Sequence, residues 1–393
     1  MYDFDTLQDR RQSGSVKWDT GARIFSGGEN FIPMWIADTD FPTLPEITEA
    51  ISRRLLHPLF GYCTEPPAFF TSLCDWTSRR YGWRCDPSWV CPAESVLNAV
   101  ALAINALTAE GDAIVVQTPC YDNFPKLIAN NHRRLIANEL LRDNADFSID
   151  FFGLRRAFEE GARTLLFCNP HNPTGRVWTT EELRRVADLC IEFDVLVISD
   201  DIHCDIFAPG QRYTPLAAVD DRLRTRSITC YAPGKTFNVA SLKASAVMIP
   251  DETLRSCFRA YQERMGLPKL SVLSYEVCIA AYTYGDRYAD ELGAYIAGNA
   301  AFVQDFLARE LPQIRCTQPQ GSFLMLWDCT ALGLSGQALT GWFADHAQVA
   351  FSSGSSYGAS LDRWVRVNLG CSRVLLERAL RQIKAALDGL PRP

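Results

Sequence analysis

Four short segments hold side chains that could work together: Thr118-Pro119-Cys120-Tyr121, Asn169-Pro170-His171-Asn172-Pro173-Thr174-Gly175, Asp200-Asp201-Ile202-His203 and Ala232-Pro233-Gly234-Lys235. Desolvation lowers the pKa of a lysine, and the neutral amine so formed attacks aldehydes; Lys235 is the candidate. A carboxylate such as Asp200 can hold the N–H of a pyridinium ring, and a ring kept protonated is an electron sink. Asn172 could bond a hydroxyl on such a ring, and Tyr121 could stack on its face. Taken singly, each has a plainer explanation. Asp200 could cap a helix, Asn172-Pro173-Thr174-Gly175 could be only a turn, and Lys235 could be a surface lysine. His171 lies three residues after Cys168, but the histidines have no metal-site spacing, so no metal is expected.

The case for one site rests on the elements that must carry these segments. Ala113–Gln117, Thr164–Cys168, Val195–Ser199, Ser227–Tyr231 and Ala244–Ile249 are short apolar runs that read as buried strands, with Arg134–Ala137 a weaker one. Helical patterns lie between them at Phe124–Asn131 and Leu154–Glu160. A third starts at the Thr179-x-x-Glu182 capping box and runs to about Phe193. Continuous apolar strands alternating with helices predict a mostly parallel sheet covered on both faces. Ligands of such sheets bind at the carboxyl ends of the strands, which is where the four segments fall.

Composition narrows the function classes. A chain of 393 residues suits a large domain plus a smaller one. With 39 basic against 46 acidic side chains the net charge is −7, which disfavours nucleic acid and anionic membrane as partners. The opening residues MYDFDTLQDRRQ have no apolar run, so a signal peptide is not expected and a cytoplasmic protein is. The longest apolar stretch, Ser95 to Leu107, is too short to span a bilayer. The 14 cysteines include no Cys-x-x-Cys pair and read as reduced thiols, mostly in the core.

Asn169–Gly175, Ser199-Asp200-Asp201-Ile202-His203 and Gly234-Lys235-Thr236-Phe237-Asn238, in this order and spacing, resemble the fold-type I enzymes that use pyridoxal 5′-phosphate (PLP), within the class I/II aminotransferase superfamily. The likeness is greatest to the MalY/PatB-like branch of cystathionine β-lyases and cysteine C–S lyases. Pro33–Phe41, Phe60-Gly61-Tyr62, Gln117–Tyr121 and Trp364–Cys371 agree with it, and it runs from about Tyr2 to the last helix.

The resemblance implies the α/β fold-type I transferase fold: a large domain at 45–288 with a mostly parallel seven-stranded sheet, and a smaller α+β domain from 1–44 and 289–393. It implies a homodimer and a small amino-acid thioether as substrate. Lys235 would hold PLP as an imine and move protons at the substrate Cα. Asp200 would pair with the ring nitrogen and Asn172 with the ring hydroxyl. His203 falls near that hydroxyl, and Tyr121 would stack on the ring. Arg366 would clamp the substrate carboxylate, with Asn172, Trp35 and Ala37 beside the substrate; a surface ion pair is the competing reading of Arg366. Tyr62 would reach the phosphate of the other subunit, against the reading of an ordinary core tyrosine. Tyr62 and Tyr121 join Lys235 in the catalytic group.

The chain also departs from the family's pattern. The phosphate turn reads Ala93-Glu94-Ser95-Val96, so only the N–H groups of Ser95 and Val96 are left as ligands, beside an unexpected carboxylate. Gly234 and Ala232 stand where hydroxyl donors are usual, which shifts weight to Lys243. Ser353 stands where proline is common, and the hydroxyl-rich 352–356 stretch points to an altered substrate pocket. The expected activity is β-elimination at Cβ–S of an S-substituted cysteine, cystathionine-like or a natural-product thioether. An aminotransferase, a decarboxylation-coupled deaminase and a regulatory protein-binding role are the alternatives.

Overall fold

The computed structural model describes residues 1–25, 27–28, 30–267 and 269–389. Its main sheet has seven strands: β1 (Val90–Ala93), β2 (Ala113–Thr118), β3 (Arg134–Glu139), β4 (Thr164–Cys168), β5 (Leu196–Asp200), β6 (Ser227–Tyr231) and β7 (Ser245–Met248). Their spatial order is β1-β7-β6-β5-β4-β2-β3. The five strands from β6 to β3 are parallel, while β7 runs antiparallel to both its neighbours. Alternate side chains feed two cores. Ile114, Val116, Leu166 and Ile198 pack with the helix α1 (Val96–Leu107), and Val115, Leu165, Phe167 and Val197 pack with α2 (Thr180–Glu192). The Thr179–Glu182 capping box starts α2 as its sequence predicts.

The sheet is mostly parallel, as expected, but three details differ from the sequence reading, and the first two have a physical reason. The connection from β6 to β7 holds only one helical turn, Ala240–Leu242, which is too little for a parallel crossover, so β7 turns back. Strand β1 contains Pro92, a residue that argues against a strand except at an edge, and β1 is an edge strand. Its backbone is covered by the helix α3 (Glu252–Arg264). Arg259 donates to Val90 O at 3.1 Å and Gln262 to Pro92 O at 2.8 Å. Strand β5 is also one residue later than predicted, so Asp200 ends the strand rather than following it.

The C-terminal part contains α4 (Asp286–Glu310), α5 (Gly336–Ala347), α6 (Arg373–Asp388) and a second, antiparallel sheet. That sheet comprises β8 (Arg315–Cys316), β9 (Leu324–Asp328), β10 (Ser352–Ser353) and β11 (Trp364–Asn368), in the order β8-β9-β11-β10. The N-terminal segment is stitched to this part where Ile32–Pro33 pairs with Val349–Ala350. It is then fixed by a buried polar knot. Lys17, 1% exposed, donates to Asp40 at 2.7 Å, and Trp18 Nε1 and Arg10 each donate to the other Asp40 oxygen at 2.9 Å. An ammonium this deeply buried survives only beside its carboxylate.

Replacing Asp40 with alanine takes away the nearer carboxylate of the buried Lys17 and leaves Asp38, whose Oδ1 is 3.7 Å away and whose carbonyl is 3.3 Å away. We expect a loss of about 3–5 kcal/mol in urea unfolding. Glu377→Ala, which removes an exposed partner of Arg381, should change the midpoint little. Equal effects from the two variants would contradict the role given to the knot.

Candidate active site

A cavity of about 580 Å³ opens at the carboxyl ends of β4 and β5. The main sheet and its loops supply Asn172, Asp200, His203 and Lys235, and the start of α1 supplies Ser95 and Val96. The N-terminal segment contributes Trp35 and Ala37, and β11 contributes Arg366. Thus six well-separated stretches of chain meet in one cleft.

Lys235 sits in the β6–β7 connection, and its Nζ donates to Ala37 O at 2.6 Å. Burial and the nearby Arg366 charge bring its pKa down to about 8, against the opposing pull of Asp38 and Asp200. Near neutral pH a useful fraction is therefore the nucleophilic free amine. Asp200 is buried, and one of its oxygens accepts the Ile202 N–H at 3.1 Å. Burial raises its pKa to about 6, tempered by that hydrogen bond and by Lys235, so it is ionised at pH 7–8. No helix follows Asp200, only a turn, so it is not a helix cap.

The neighbouring Asp201 serves a different purpose. It is completely buried and accepts from Ser199 Oγ at 2.5 Å and from the Tyr213 hydroxyl. Burial pushes its carboxyl up to about 7, with Asp200 adding to the rise and the two hydroxyl donors opposing it.

His203 lies 2.9 Å from Ser322 Oγ through Nδ1. Burial, helped by Lys235 and Arg366, holds its pKa well below the usual value, so the imidazole is neutral. Asn172 turns its Oδ1 to Arg366 Nη1 at 3.1 Å, which leaves its amide N–H groups as donors. The 169–175 loop closes on Gly175 at φ +74, where a Cβ would lie 2.7 Å from Pro319 Cβ; only glycine fits. The Tyr121 hydroxyl accepts from Asn123 Nδ2 at 2.8 Å, and the side chain lines the cavity.

Arg366 is 4% exposed and, among the described residues, pairs with no carboxylate. One nitrogen bonds Asn172, another donates to Trp35 O at 2.8 Å, and Nε has no partner. Its guanidinium lies 4.7 Å from the centre of the Tyr357 ring. A surface ion pair is thus excluded. A buried guanidinium without an anion is a site for one.

At the other end of the cavity Ser95 caps α1, accepting the Asn98 N–H at 3.2 Å. The first N–H groups of a helix have no carbonyl partner within it, and with the helix dipole they suit an anion. Glu94 is exposed and does not line the cavity, so it brings no carboxylate there. At Gly234 a Cβ would come within 3.3 Å of Ala240 Cα, so the backbone leaves little room for the hydroxyl residue that is usual there.

Two expected ligands do not line this chain's cavity, one of them, Tyr62, having been expected at the other subunit's phosphate. Lys243 has a left-handed backbone, φ +51, after the 240–242 turn; its side chain is exposed and outside the cavity lining. Tyr62 is fully exposed and lies in a separate surface depression with Lys269 and Leu270, so it is no core tyrosine and does not reach this chain's cavity. Conversely, Phe25, Gln337, Thr340 and Tyr357 line the cavity without having been expected. Their segments carry no chemical signature, and only the tertiary fold brings them here. The 352–356 stretch does meet the cavity, through Ser352, Ser353 and Ser356.

Comparison with known proteins agrees with this geometry. Residues 30–383 match the family model for aminotransferase class I and II. Cystathionine beta-lyase PatB of Bacillus subtilis is 39% identical over 98% of this chain and 100% of its own length. Protein MalY of Escherichia coli is 32% identical over 97% of each chain. The solved structure of cystalysin from Treponema denticola, which contains a pyridoxal 5′-phosphate cofactor, superposes with a TM-score of 0.96 at 30% identity, covering 100% of both chains.

The raised carboxyl of Asp201 predicts a pH-dependent stability. Its protonated form favours the folded chain fully below the unfolded value near 3.8, and that contribution is lost as pH rises through about 7. Asp201→Asn, which keeps an acceptor but no charge, should therefore gain in melting temperature over the parent between pH 5 and pH 8. A difference that is flat or shrinks over that range would refute the assignment.

Proposed function

The chain belongs to the aminotransferase class I and II family, and from that membership we propose that it uses PLP to cleave the Cβ–S bond of an S-substituted cysteine, releasing a thiol, pyruvate and ammonia. The residues at the cleft fit the cofactor: an amine with a lowered pKa, a buried carboxylate still ionised at neutral pH, an aromatic side chain and a helix N-terminus for a phosphate. When bound, PLP supplies an electron sink for charge that develops at the substrate Cα.

The protein's part follows from its own groups. Asp200 would hold a proton at the ring nitrogen, and its burial would strengthen that interaction. Ser95 and Val96 would offer N–H groups to the phosphate, Asn172 and His203 would stand by the ring hydroxyl, and Tyr121 would cover a face. Arg366 would orient the substrate by its carboxylate, with its Nε–H, which has no partner in the chain, free to donate to an anion. Lys235 Nζ then takes the Cα proton, while the C–S bonding pair leaves with sulfur, which is protonated to the thiol. Water completes the hydrolysis of the three-carbon remainder. Trp35 and Ala37 position both cationic groups through their carbonyls.

The observation that carries this reading is the buried, anion-free Arg366 in the same cleft as Lys235. The lyase outcome, rather than transamination, is supported by the similarity to PatB, which is named a cystathionine beta-lyase. In the same reading, two copies associate and Tyr62 serves the partner's phosphate. Leu55, Leu56, Leu59, Phe60 and Tyr62, all strongly exposed, support a covering surface there. The larger PLP-binding unit would span 45–288, and 1–44 with 289–393 would form the smaller one. Among the described residues no helix is long and apolar enough to cross a membrane, and the cysteines are free, which suits a cytoplasmic setting.

Protein loaded with PLP should show a visible absorption band and release thiol and pyruvate in equal amounts from S-substituted cysteines. Lys235→Ala should lose both band and turnover; a second amino acid formed from an added keto acid, without pyruvate, would replace the lyase reading. Arg366→Lys should reduce kcat/KM by roughly 100-fold, the loss expected for a charged hydrogen bond.

A further inference from the structure

Toward its mouth the cavity changes in character. The Phe25 and Trp35 rings meet edge to face there, with centroids 5.3 Å apart. Gln337 and Thr340, from the first turns of α5, share the lining with Ser353 and Ser356. Thr340 donates within its own helix to Gln337 O at 3.2 Å, and Ser353 lies 2.8 Å from Ser355 Oγ. The Gln337 amide and the Ser356 hydroxyl are exposed and form no hydrogen bond to any described side chain or backbone group.

Charge is distributed very differently. Among the described lining residues, the lysines and arginines are Lys235 and Arg366 alone, and in the C–S cleavage reading both would be taken up by the cofactor and the reacting amino acid. Besides Asp200, the lining carboxylate is Asp122, already 3.0 Å from Lys126. Cystathionine carries a second amino-acid head beyond its sulfur. The carboxylate of that head would meet hydroxyls, an amide and aromatic rings; among the described lining residues no further lysine or arginine is there to receive it, and Lys126 beside the lining is taken up by Asp122. A flat, uncharged group would lie against Phe25 and Trp35 and accept or donate to Gln337 and Ser356.

We infer that this mouth selects thioethers whose sulfur carries an uncharged, planar, hydrogen-bonding substituent, in preference to a second amino-acid head. The inference rests on the C–S cleavage reading above. Its test uses the full chain loaded with PLP and two substrates, S-(4-carbamoylbenzyl)-L-cysteine and L-cystathionine. The aromatic amide should have the higher kcat/KM for pyruvate, by about tenfold or more. Gln337→Arg, which adds a cation at the mouth, should raise kcat/KM for cystathionine and narrow that ratio several-fold. Cystathionine as the equal or better substrate of the parent protein would overturn the inference.

Calorimetric affinities for the analogues in which methylene replaces sulfur separate the two readings, because no C–S bond is broken. If neither thioether gives pyruvate, the reaction reading fails. The preference still stands if the aromatic analogue binds tighter, and falls if it does not.

Discussion

Backbone carbonyls of a single short segment hold the two cationic side chains of the cleft in place. Ala37 O receives Lys235 and Trp35 O receives Arg366. The same segment is gripped from both sides by amides. Asn238, in the Lys235 loop, donates to Thr39 O and Phe41 O, and Asn368, two residues beyond Arg366, donates to Ile36 O and Asp38 O. Lys17 and Arg10 then anchor the side chains of Asp38 and Asp40. A stretch with no regular secondary structure thus becomes a rigid spacer, because nearly every carbonyl in it has a donor. Rigid placement of this kind is what a site needs if its reacting groups are to be ready before a substrate arrives.

That spacer also governs the electrostatics. It keeps Lys235 close enough to Arg366 for the guanidinium to help lower the amine's pKa, and close enough to Asp200 for the two to moderate one another. His203 feels both cations and stays neutral. The three residues therefore occupy distinct protonation states at one pH: a carboxylate, an amine near its midpoint and an uncharged imidazole. Burial is the leading cause in each case, so the hydrophobic layers above and below the sheet set the chemistry as much as the neighbouring charges do.

Much of this was legible in the chain. Uninterrupted runs such as Thr164–Cys168 can only be central strands, and the polar groups just after them fall at the carboxyl edge by geometry. Direction was harder to read. Ser245–Met248 has the composition of a parallel strand, and only the short connection before it reveals that it runs the other way. Arg366 stood out by resemblance alone, since one arginine in a strand carries no local sign of an anion site. Lys243 was placed by sequence spacing, which says nothing about the left-handed backbone that leaves its side chain exposed. Phe25, Gln337 and Thr340 were invisible for a different reason: they are ordinary residues on distant elements, and their meeting is a property of the tertiary fold.

The edge strand β1 has a further consequence. Its outward carbonyls at Val90 and Pro92 are occupied by Arg259 and Gln262, and Pro92 has no N–H to offer. An extended peptide arriving at this border would find no ladder to continue. Growth of the sheet from one molecule into the next is closed off at this edge, so crowding at high concentration should not string copies together through β1. Any self-association has to proceed through side-chain surfaces, whose shapes can be selective in a way that an open row of backbone groups cannot.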